Sequence, residues 1–322
     1  MRNKASMLTI VGDVGLDLVL GPLASWPAPG AETLVDRSEM RPGFSAANAA
    51  LAARHLGQAC SLVADLGEDY FGHWLAERLH GIEADLKHLQ GATTLTVAFA
   101  HPDGERSFIT TRGHLESVTW DSLDPRIPSA PKGAFALLTG VYLMPRVRRR
   151  FTEALASLRA RGYQVALDTG WPTEGWSAPV RAEAREWLAH CDVLLLNEAE
   201  VTGLADMADL EPALRRLAEL MPAGATAVAK AGWRGAIAVS GGQLAEHGAP
   251  NVSVFDTVGA GDSFNAGFLA ARLAGLDLQP ALGAGCAAAS TIIARFPRES
   301  IAPGELAHLL ASPGAATTRI SA

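Results

Sequence analysis

The sequence predicts an α/β fold in which a doubly wound, mostly parallel sheet is flanked by helices and a small β-sheet forms a lid. Apolar runs of four to six residues alternate with longer segments of helical period, which is typical of βαβ units. Two segments interrupt this alternation and predict extra strands outside the main sheet. After residue 255 the pattern changes to consecutive helices, which we expect to pack beside the sheet.

The strands of the main sheet are predicted from short apolar runs that end at polar residues or glycines. They cover Leu8–Val11, Ser61–Ala64, Phe135–Thr139, Val165–Asp168, Val193–Asn197, Thr226–Lys230, Ala236–Ser240 and Val252–Phe255. The helices have apolar residues at three- and four-residue spacing, and several end at a glycine. They cover Ser45–His55, Tyr70–Leu79, Val147–Arg161, Val180–Ala189, Leu210–Leu220, Asp262–Leu273, Gln279–Ala294 and Gly304–Leu310.

The lid is predicted from the two interrupting segments. Leu18–Met40 contains three prolines, and Thr94–Thr111 contains the hairpin signal Asp103-Gly104 between two strand-like runs. We expect the inserted strands, within residues 14–41 and 92–113, to meet as one sheet over an edge of the active face. Two unrelated surface loops are the competing interpretation. An exposed apolar sheet surface favours a homodimer through the lid.

Composition limits the classes of function. With 322 residues, of which 48% are hydrophobic and 19% charged, the chain is treated as one α/β domain over residues 1–322. A net charge of -7 and a pI of 5.7 argue against nucleic-acid binding. No uncharged stretch reaches the length of a membrane span. Three scattered cysteines without a CxxC pair favour a cytoplasmic location.

The most informative stretch is residues 256–264, between a predicted strand and a predicted helix. Gly259 and Gly261, with only Ala260 between them, let a ligand approach the backbone. The helix that follows points unpaired N–H groups into the same space, which predicts an anion hole. Asp262 in the first turn offers a base for an acceptor hydroxyl, as phosphoryl transfer requires. The competing interpretation is a tight turn whose aspartate only caps the helix.

Residues 256–262 resemble the signature of the ribokinase-like (PfkB) carbohydrate kinases, and the resemblance covers nearly the whole chain. It implies a ribokinase-like fold with ATP and Mg²⁺ as cofactors. It also implies that Asp262 is the catalytic base and that Gly259, Ala260 and Gly261 form the anion hole. The resemblance leaves open a monovalent cation such as K⁺ beside Asp256, because a second loop lacks a glycine expected there.

The resemblance further implies a set of substrate-binding residues. They are Asp13, Asp17, Gly43, Asn48 and Arg106. Asp13 follows the first strand, where an open α/β sheet binds ligands. Gly43 and Asn48 match a Gly-Gly and Asn segment, with a proline where the first glycine is usual. Arg106 resembles a lid arginine that reaches the substrate in some relatives, and an exposed hairpin arginine is the competing interpretation.

A second set of residues is implied for the nucleotide. It consists of Asn197, Glu200, Lys230, Gly232, Gly235 and Thr257. Asn197 and Glu200 match an Asn-x-x-Glu motif whose glutamate organises Mg²⁺ through water, an oxygen chemistry that this ion prefers. Lys230 opens a glycine-containing loop and either neutralises phosphate charge or is a solvated residue at a strand end. We expect Asp168 close to the site without a defined role, and the small-residue helix Gln279–Ala294 against the adenine.

These observations predict an ATP-dependent kinase that phosphorylates a hydroxyl of a small sugar. A nucleoside kinase of the same family is the first alternative, and the lid distinguishes the two. A non-catalytic sugar-binding protein is an alternative from another class, which the intact Asp262 and Gly-Ala-Gly disfavour. A nicotinamide-dependent dehydrogenase is the third alternative, and the absence of the downstream βαβ unit with its acidic ribose ligand counts against it.

Overall fold

The structure is a computed structural model that describes residues 7–102 and 106–311. Its strands are β1 (Leu8–Val11), β2 (Gly15–Gly21), β3 (Arg37–Gly43), β4 (Ser61–Gly67), β5 (Glu83–Leu89), β6 (Leu95–Ala100), β7 (Arg106–Thr110), β8 (Phe135–Thr139), β9 (Gln164–Asp168), β10 (Val193–Asn197), β11 (Thr226–Lys230), β12 (Ala236–Ser240) and β13 (Gln243–His247). Its α-helices are α1 (Ser45–His55), α2 (Tyr70–Arg78), α3 (Trp120–Leu123), α4 (Pro145–Arg148), α5 (Phe151–Ala160), α6 (Ala178–Leu188), α7 (Glu198–Ala205), α8 (Leu210–Ala218), α9 (Ala260–Leu273), α10 (Leu278–Ile293) and α11 (His308–Ala311).

The main sheet has nine strands in the order β13-β12-β11-β10-β9-β8-β1-β4-β5. The seven strands from β11 to β5 are parallel, and β12 and β13 extend the sheet in antiparallel fashion. The order runs outward from β1 in both directions, which confirms the predicted doubly wound fold. Ligands bind such sheets at the carboxyl ends of the strands beside the point where the order reverses. That point lies at the end of β1.

The small sheet has the order β3-β2-β6-β7 and is separate from the main sheet. It joins β2 and β3 from the first inserted segment to β6 and β7 from the second. The prediction that both segments meet in one sheet is therefore confirmed. The predicted turn at Asp103-Gly104 lies outside the described residues.

The core lies on both faces of the main sheet. Ile10 and Val11 are both buried, but they belong to opposite apolar clusters, and Leu137 and Leu138 divide in the same way. This alternation follows from the two-residue period of a strand, and burial of both faces explains the continuous apolar runs of the central strands. Within the described residues, no helix is both long and apolar enough to cross a bilayer.

Some predicted elements were wrong. Val252–Phe255 is not a strand, because Phe255 donates its N–H to the Ile293 carbonyl at the end of α10 (2.9 Å) and its segment does not pair with the sheet. The predicted helix Val147–Arg161 is divided into α4 and α5 at Arg150, where the backbone leaves helical geometry (φ -119°, ψ 22°). The last predicted helix shortens to α11.

Candidate active site

The glycine turn that precedes α9 is shaped to accept a ligand. Gly259 has a φ of 75°, and a Cβ there would lie 3.0 Å from Arg298 and 3.1 Å from Asn48, so the turn requires glycine. α9 begins at Ala260, two residues earlier than predicted, and no side chain caps its first turn. The Ala260 N–H donates to the Thr257 carbonyl at 3.2 Å. The next two amides of α9 have no partner among the described residues, so they are available to an anion.

Asp262 lies in this first turn, and a hydrogen bond from Asn48 fixes its carboxylate. The Asn48 amide donates a hydrogen bond to its carboxylate, with Nδ2 and Oδ2 3.1 Å apart. Burial and, after it, the negative charge of Asp168 raise the pKa of Asp262 to about 7, against the lowering effect of the Lys230 ammonium. A carboxylate with a pKa near neutrality is suited to take a proton from a hydroxyl at working pH.

Asp168 is the centre of a buried network at the ends of β9 and β11. Its carboxylate accepts from the Lys230 ammonium at 2.7 Å and from the Asn265 amide at 2.6 Å. Burial alone would lower the pKa of Lys230, but the charges of Asp168 and Glu200 raise it, so the ammonium stays charged. A Cβ at Gly261 would lie 3.2 Å from Lys230 Nζ, which places this cation beside the glycine turn.

Asn197 and Glu200 form a capping box at the start of α7. The Asn197 side chain accepts from the Glu200 N–H at 2.9 Å, and the Glu200 carboxylate accepts from the Asn197 N–H at 2.8 Å. Burial, followed by the charge of Asp168, raises the pKa of Glu200 to about 7. The donor set at this end of the sheet consists of hard carboxylate and amide oxygens, so the residues present fit Mg²⁺ held through water.

A cavity of about 870 Å³ brings the implied nucleotide residues together. Its walls include Asn197, Glu200, Lys230, Gly232, Gly235, Thr257, Gly259, Ala260, Gly261, Asp262 and Asp168. One face of α10 closes it with small side chains, among them Ala289 and Ser290, as expected for a surface against a flat base. The buried Thr257 hydroxyl has no hydrogen-bond partner among the described residues. This unpaired hydroxyl and the glycine turn fit a nucleotide with its phosphates at α9.

Three of the residues implied for the sugar are buried: Asp13, Asp17 and Gly43. Asp13 accepts from the Ala46 N–H and the Thr139 hydroxyl, both at 3.2 Å, and burial raises its pKa to about 6. Asp17 is also buried, and a Cβ at Gly43 would collide with its carboxyl group. None of Asp13, Asp17 and Gly43 lines the large cavity.

Two further side chains define the rim of the large cavity. Arg106, the first residue of β7, lines it and holds its guanidinium 5.9 Å from the centre of the Phe108 ring. The structure therefore brings Arg106 to the site from the small sheet. Trp233 also lines the cavity and is 88% exposed, and the sequence analysis did not identify it.

A buried ionic cluster, formed around Asp256, lies directly before the glycine turn. The Asp256 carboxylate accepts from Arg41 at 2.6 Å, from Arg298 at 3.2 Å and from the Val258 N–H at 2.8 Å. Burial would raise the pKa of Asp256, but Arg298 and Arg41 lower it. Because two guanidinium groups already neutralise this carboxylate, the residues present do not fit a monovalent cation at this position.

Sequence reasoning also missed three residues of the buried networks: Asn265, Arg41 and Arg298. Asn265 stands three residues after Asp262 in α9, and that spacing places two helical side chains on one face, so a signal for it existed. Arg41 and Arg298 reach Asp256 from opposite ends of the chain. No local sequence pattern predicts that these two arginines form ion pairs with Asp256.

Comparison with known proteins was decisive for the family. The sequence model described as the pfkB family carbohydrate kinase matches residues 5–298. The chain belongs to the pfkB family. The pfkB resemblance read from residues 256–262 is thus confirmed, and the protein is an enzyme of the carbohydrate kinase class.

The pfkB relatives differ in the substrates that they are named for. The chain is 29% identical over 275 residues to 2-dehydro-3-deoxygluconokinase of Thermoproteus tenax, covering 82% of this chain and 83% of that protein. It is 29% identical over 292 residues to a nucleoside kinase of Methanothermobacter thermautotrophicus, covering 89% of each. The structure of Arabidopsis thaliana ribokinase complexed with ribose and ATP matches with a TM-score of 0.76 at 24% identity, covering 95% of this chain and 99% of that one. The last match confirms the ribokinase-like fold.

Proposed function

We propose that this pfkB kinase transfers the γ-phosphoryl group of ATP to a hydroxyl of a small sugar, with Asp262 as the general base. One observation carries the proposal. Asp262, whose pKa burial raises to about 7, lies in the first turn of α9 beside amides without partners among the described residues, and it shares a cavity with Lys230. Base, anion hole and counter-charge are the components that phosphoryl transfer needs in one place.

The protein's own groups have separable roles in this proposal. Asn48 holds the Asp262 carboxylate in place, so that it accepts the proton of the attacking hydroxyl. The amides at the start of α9 and the Lys230 ammonium stabilise negative charge on the transferred group. Thr257 offers a hydroxyl donor on the same wall.

ATP would be held between the Gly232–Gly235 loop and α10, with its phosphates toward the glycine turn. Glu200 and Asn197 would hold Mg²⁺ through water. When bound, Mg²⁺ supplies positive charge to the phosphate oxygens. No step in the proposal uses a monovalent cation.

The small sheet is proposed to act as a lid and as a dimer surface. The sugar hydroxyls would be bound by Asp13, Asp17 and Gly43 after the side chains around these buried residues move to admit the substrate. Arg106 would reach the sugar from the lid. Phe108 and Ile109 on β7 are 52% and 54% exposed. They lie on opposite faces of the small sheet because they are neighbours on a strand, and covering the face that carries Ile109 and Met40 by a second copy would remove its cost in water.

The test is ADP release with Mg²⁺ and ATP across a panel of acceptors. It includes 2-dehydro-3-deoxygluconate, ribose, fructose and nucleosides, with an acceptor-free reaction as the blank and Asp262→Asn as the inactive control. Turnover with sugars above the blank supports the proposal. Higher kcat/KM for nucleosides would favour the nucleoside kinase alternative, which is consistent with the similarity to the nucleoside kinase of Methanothermobacter thermautotrophicus. ATP binding without ADP release on any acceptor would favour a non-catalytic protein.

A further inference from the structure

Three potential metal ligands meet at the carboxyl ends of β4 and β5. Glu68 directly follows β4, His73 lies on α2, and His88 is the last residue but one of β5. We call these three residues the histidine cluster. Within residues 7–102 and 106–311, it is the only group of three or more histidine, cysteine or carboxylate side chains placed to hold a metal ion directly. One possible ligand atom from each residue lies within 4.8 Å of those of the other two.

The spacing of these side chains is close to that of a zinc site. Nε2 of His73 lies 3.4 Å from Oε1 of Glu68. The ligands of tetrahedral Zn²⁺ stand about 2.0–2.2 Å from the metal, and therefore about 3.3 Å from one another. This pair already has that spacing. The side chains of His73 and Glu68 are 61% and 54% exposed, so small rotations can bring both toward His88 without disturbing the core.

The third ligand, His88, is the most firmly oriented of the three. Its side chain is 22% exposed, and its Nδ1 donates a hydrogen bond to the Gly67 carbonyl at 3.1 Å. Because a carbonyl oxygen only accepts, the neutral ring carries its proton on Nδ1 and keeps a lone pair on Nε2. Metal-binding histidines typically donate their other N–H to a carbonyl or a carboxylate in this way. The hydrogen bond therefore prepares His88 to bind a metal through Nε2.

The charged neighbours of the histidine cluster do not compete with a metal ion. Lys87 precedes His88 on β5 and points to the opposite face of the sheet, because successive side chains of a strand alternate. Asp69 follows Glu68, and its carboxylate accepts from the Gly72 N–H at 2.9 Å and from the Thr93 N–H at 2.8 Å. The site thus has three protein ligands and leaves one position to water.

We propose that the histidine cluster binds Zn²⁺ or a similar divalent transition-metal ion, and that this ion links α2 to β5. Two imidazoles and a carboxylate are a zinc donor set, whereas Mg²⁺ takes oxygen ligands. A surface ion pair between Glu68 and protonated histidines is the competing interpretation. The rings of His73 and His88 are stacked with their centres 4.6 Å apart, and two imidazolium rings would repel each other there, whereas neutral rings on one cation would not.

A metal link would act on two weakly anchored elements. α2 has nine residues and buries only Gly72 and Leu75, and β5 is the edge strand of the main sheet, with no buried residue. Elements with few buried apolar contacts open locally at low cost in free energy. An ion that binds only the folded arrangement stabilises it by mass action. None of the three ligands lines the cavity proposed for ATP, so binding does not depend on the proposed phosphotransfer.

The experiment is isothermal titration calorimetry with Zn²⁺ on the full chain without a polyhistidine tag. Excess Mg²⁺ is present and nucleotide is omitted, so that sites that prefer oxygen ligands are filled. The variants are His73→Gln and Glu68→Gln, which change exposed side chains. The matched control is His80→Gln, since His80 is an exposed histidine in the turn after α2 and lies outside the cluster. Thermal melting verifies that each variant folds.

We expect one Zn²⁺ per chain at micromolar concentration in the wild type and the control, and binding at least about tenfold weaker in each variant. Equal affinity in the wild type and His73→Gln, or no heat in the wild type, would overturn the site. Saturating Zn²⁺ should slow amide hydrogen exchange in α2 and β5 of the wild type but not of His73→Gln. Unchanged exchange despite binding would overturn the proposed link between the two elements.

Discussion

Replacing Asp262 by asparagine separates its chemical role from its structural cost. The amide oxygen of the substituted side chain still accepts the hydrogen bond from Asn48, so the local geometry is retained. It cannot take a proton, and turnover should fall by about 10² or more, the contribution of a general base. In the wild type, kcat/KM should fall about tenfold per pH unit below 7, because only the ionised carboxylate is active.

The same substitution should stabilise the fold at alkaline pH. Burial raises the pKa of Asp262 from 3.8 to about 7, so the folded state binds a proton more tightly than the unfolded state. Its contribution to stability is present below pH 3.8 and is lost as pH rises through 7. Each unit is worth 1.36 kcal/mol, so the advantage of Asp262→Asn over wild type should grow by about 3 kcal/mol between pH 5 and pH 8.

The assay is thermal unfolding at pH 5 and pH 8 together with initial rates of ADP release. The expected gain corresponds to a relative rise in melting temperature of about 5 °C at the higher pH. Asp277→Asn is the matched control, since Asp277 stands exposed at the N-cap of α10 and makes no capping hydrogen bond. A variant that keeps more than a tenth of the wild-type rate would refute the base assignment. A stability difference that is the same at both pH values would refute the burial argument.

Three other predictions follow from the same geometry. Because Arg41 and Arg298 already neutralise the carboxylate where a monovalent cation would bind, exchanging K⁺ for tetramethylammonium should change kcat less than twofold, and a tenfold loss in steady-state rates would contradict this. Lys230→Met should raise KM for ATP at least about tenfold in rate measurements, while Lys132→Met on the surface should leave it unchanged. An equal KM in the two variants would exclude Lys230 from phosphate binding. Ile109→Lys should convert a dimer into a monomer in sedimentation velocity, and a monomeric wild type would count against the lid interface.

The central strands could be predicted from sequence because burial on both faces leaves a continuous apolar run. β8, β10, β11 and β12 have the predicted bounds. The edge strands β5 and β13 were missed, because Glu83–Leu89 and Gln243–His247 keep exposed polar residues on one face and resemble loops or helix surface. Val252–Phe255 failed for the opposite reason. It is apolar, but β13 already forms the edge of the sheet, and its backbone finds a partner at the end of α10.

The candidate site divides in the same way between local and distant information. The turn from Gly259 to Asp262 could be read directly, because its conformation and its chemistry both depend on adjacent residues. Asp168 was placed near the site without a role, since its partners Lys230 and Asn265 come from β11 and α9. These contacts between side chains depend on the order of the strands in the sheet, which cannot be predicted from any one segment of the sequence.

Asn48 and Arg298 are far apart in the sequence, but both side chains lie against the glycine turn at Gly259. Both lie within 3.1 Å of where a Cβ at Gly259 would stand, so the turn that offers its amides to an anion is enclosed by the group that holds the base and by a cation of the buried cluster. A side chain at Gly259 would therefore strain the backbone, displace Asn48 from Asp262 and push Arg298 from Asp256. The requirement for glycine at this position comes from three separate elements meeting there.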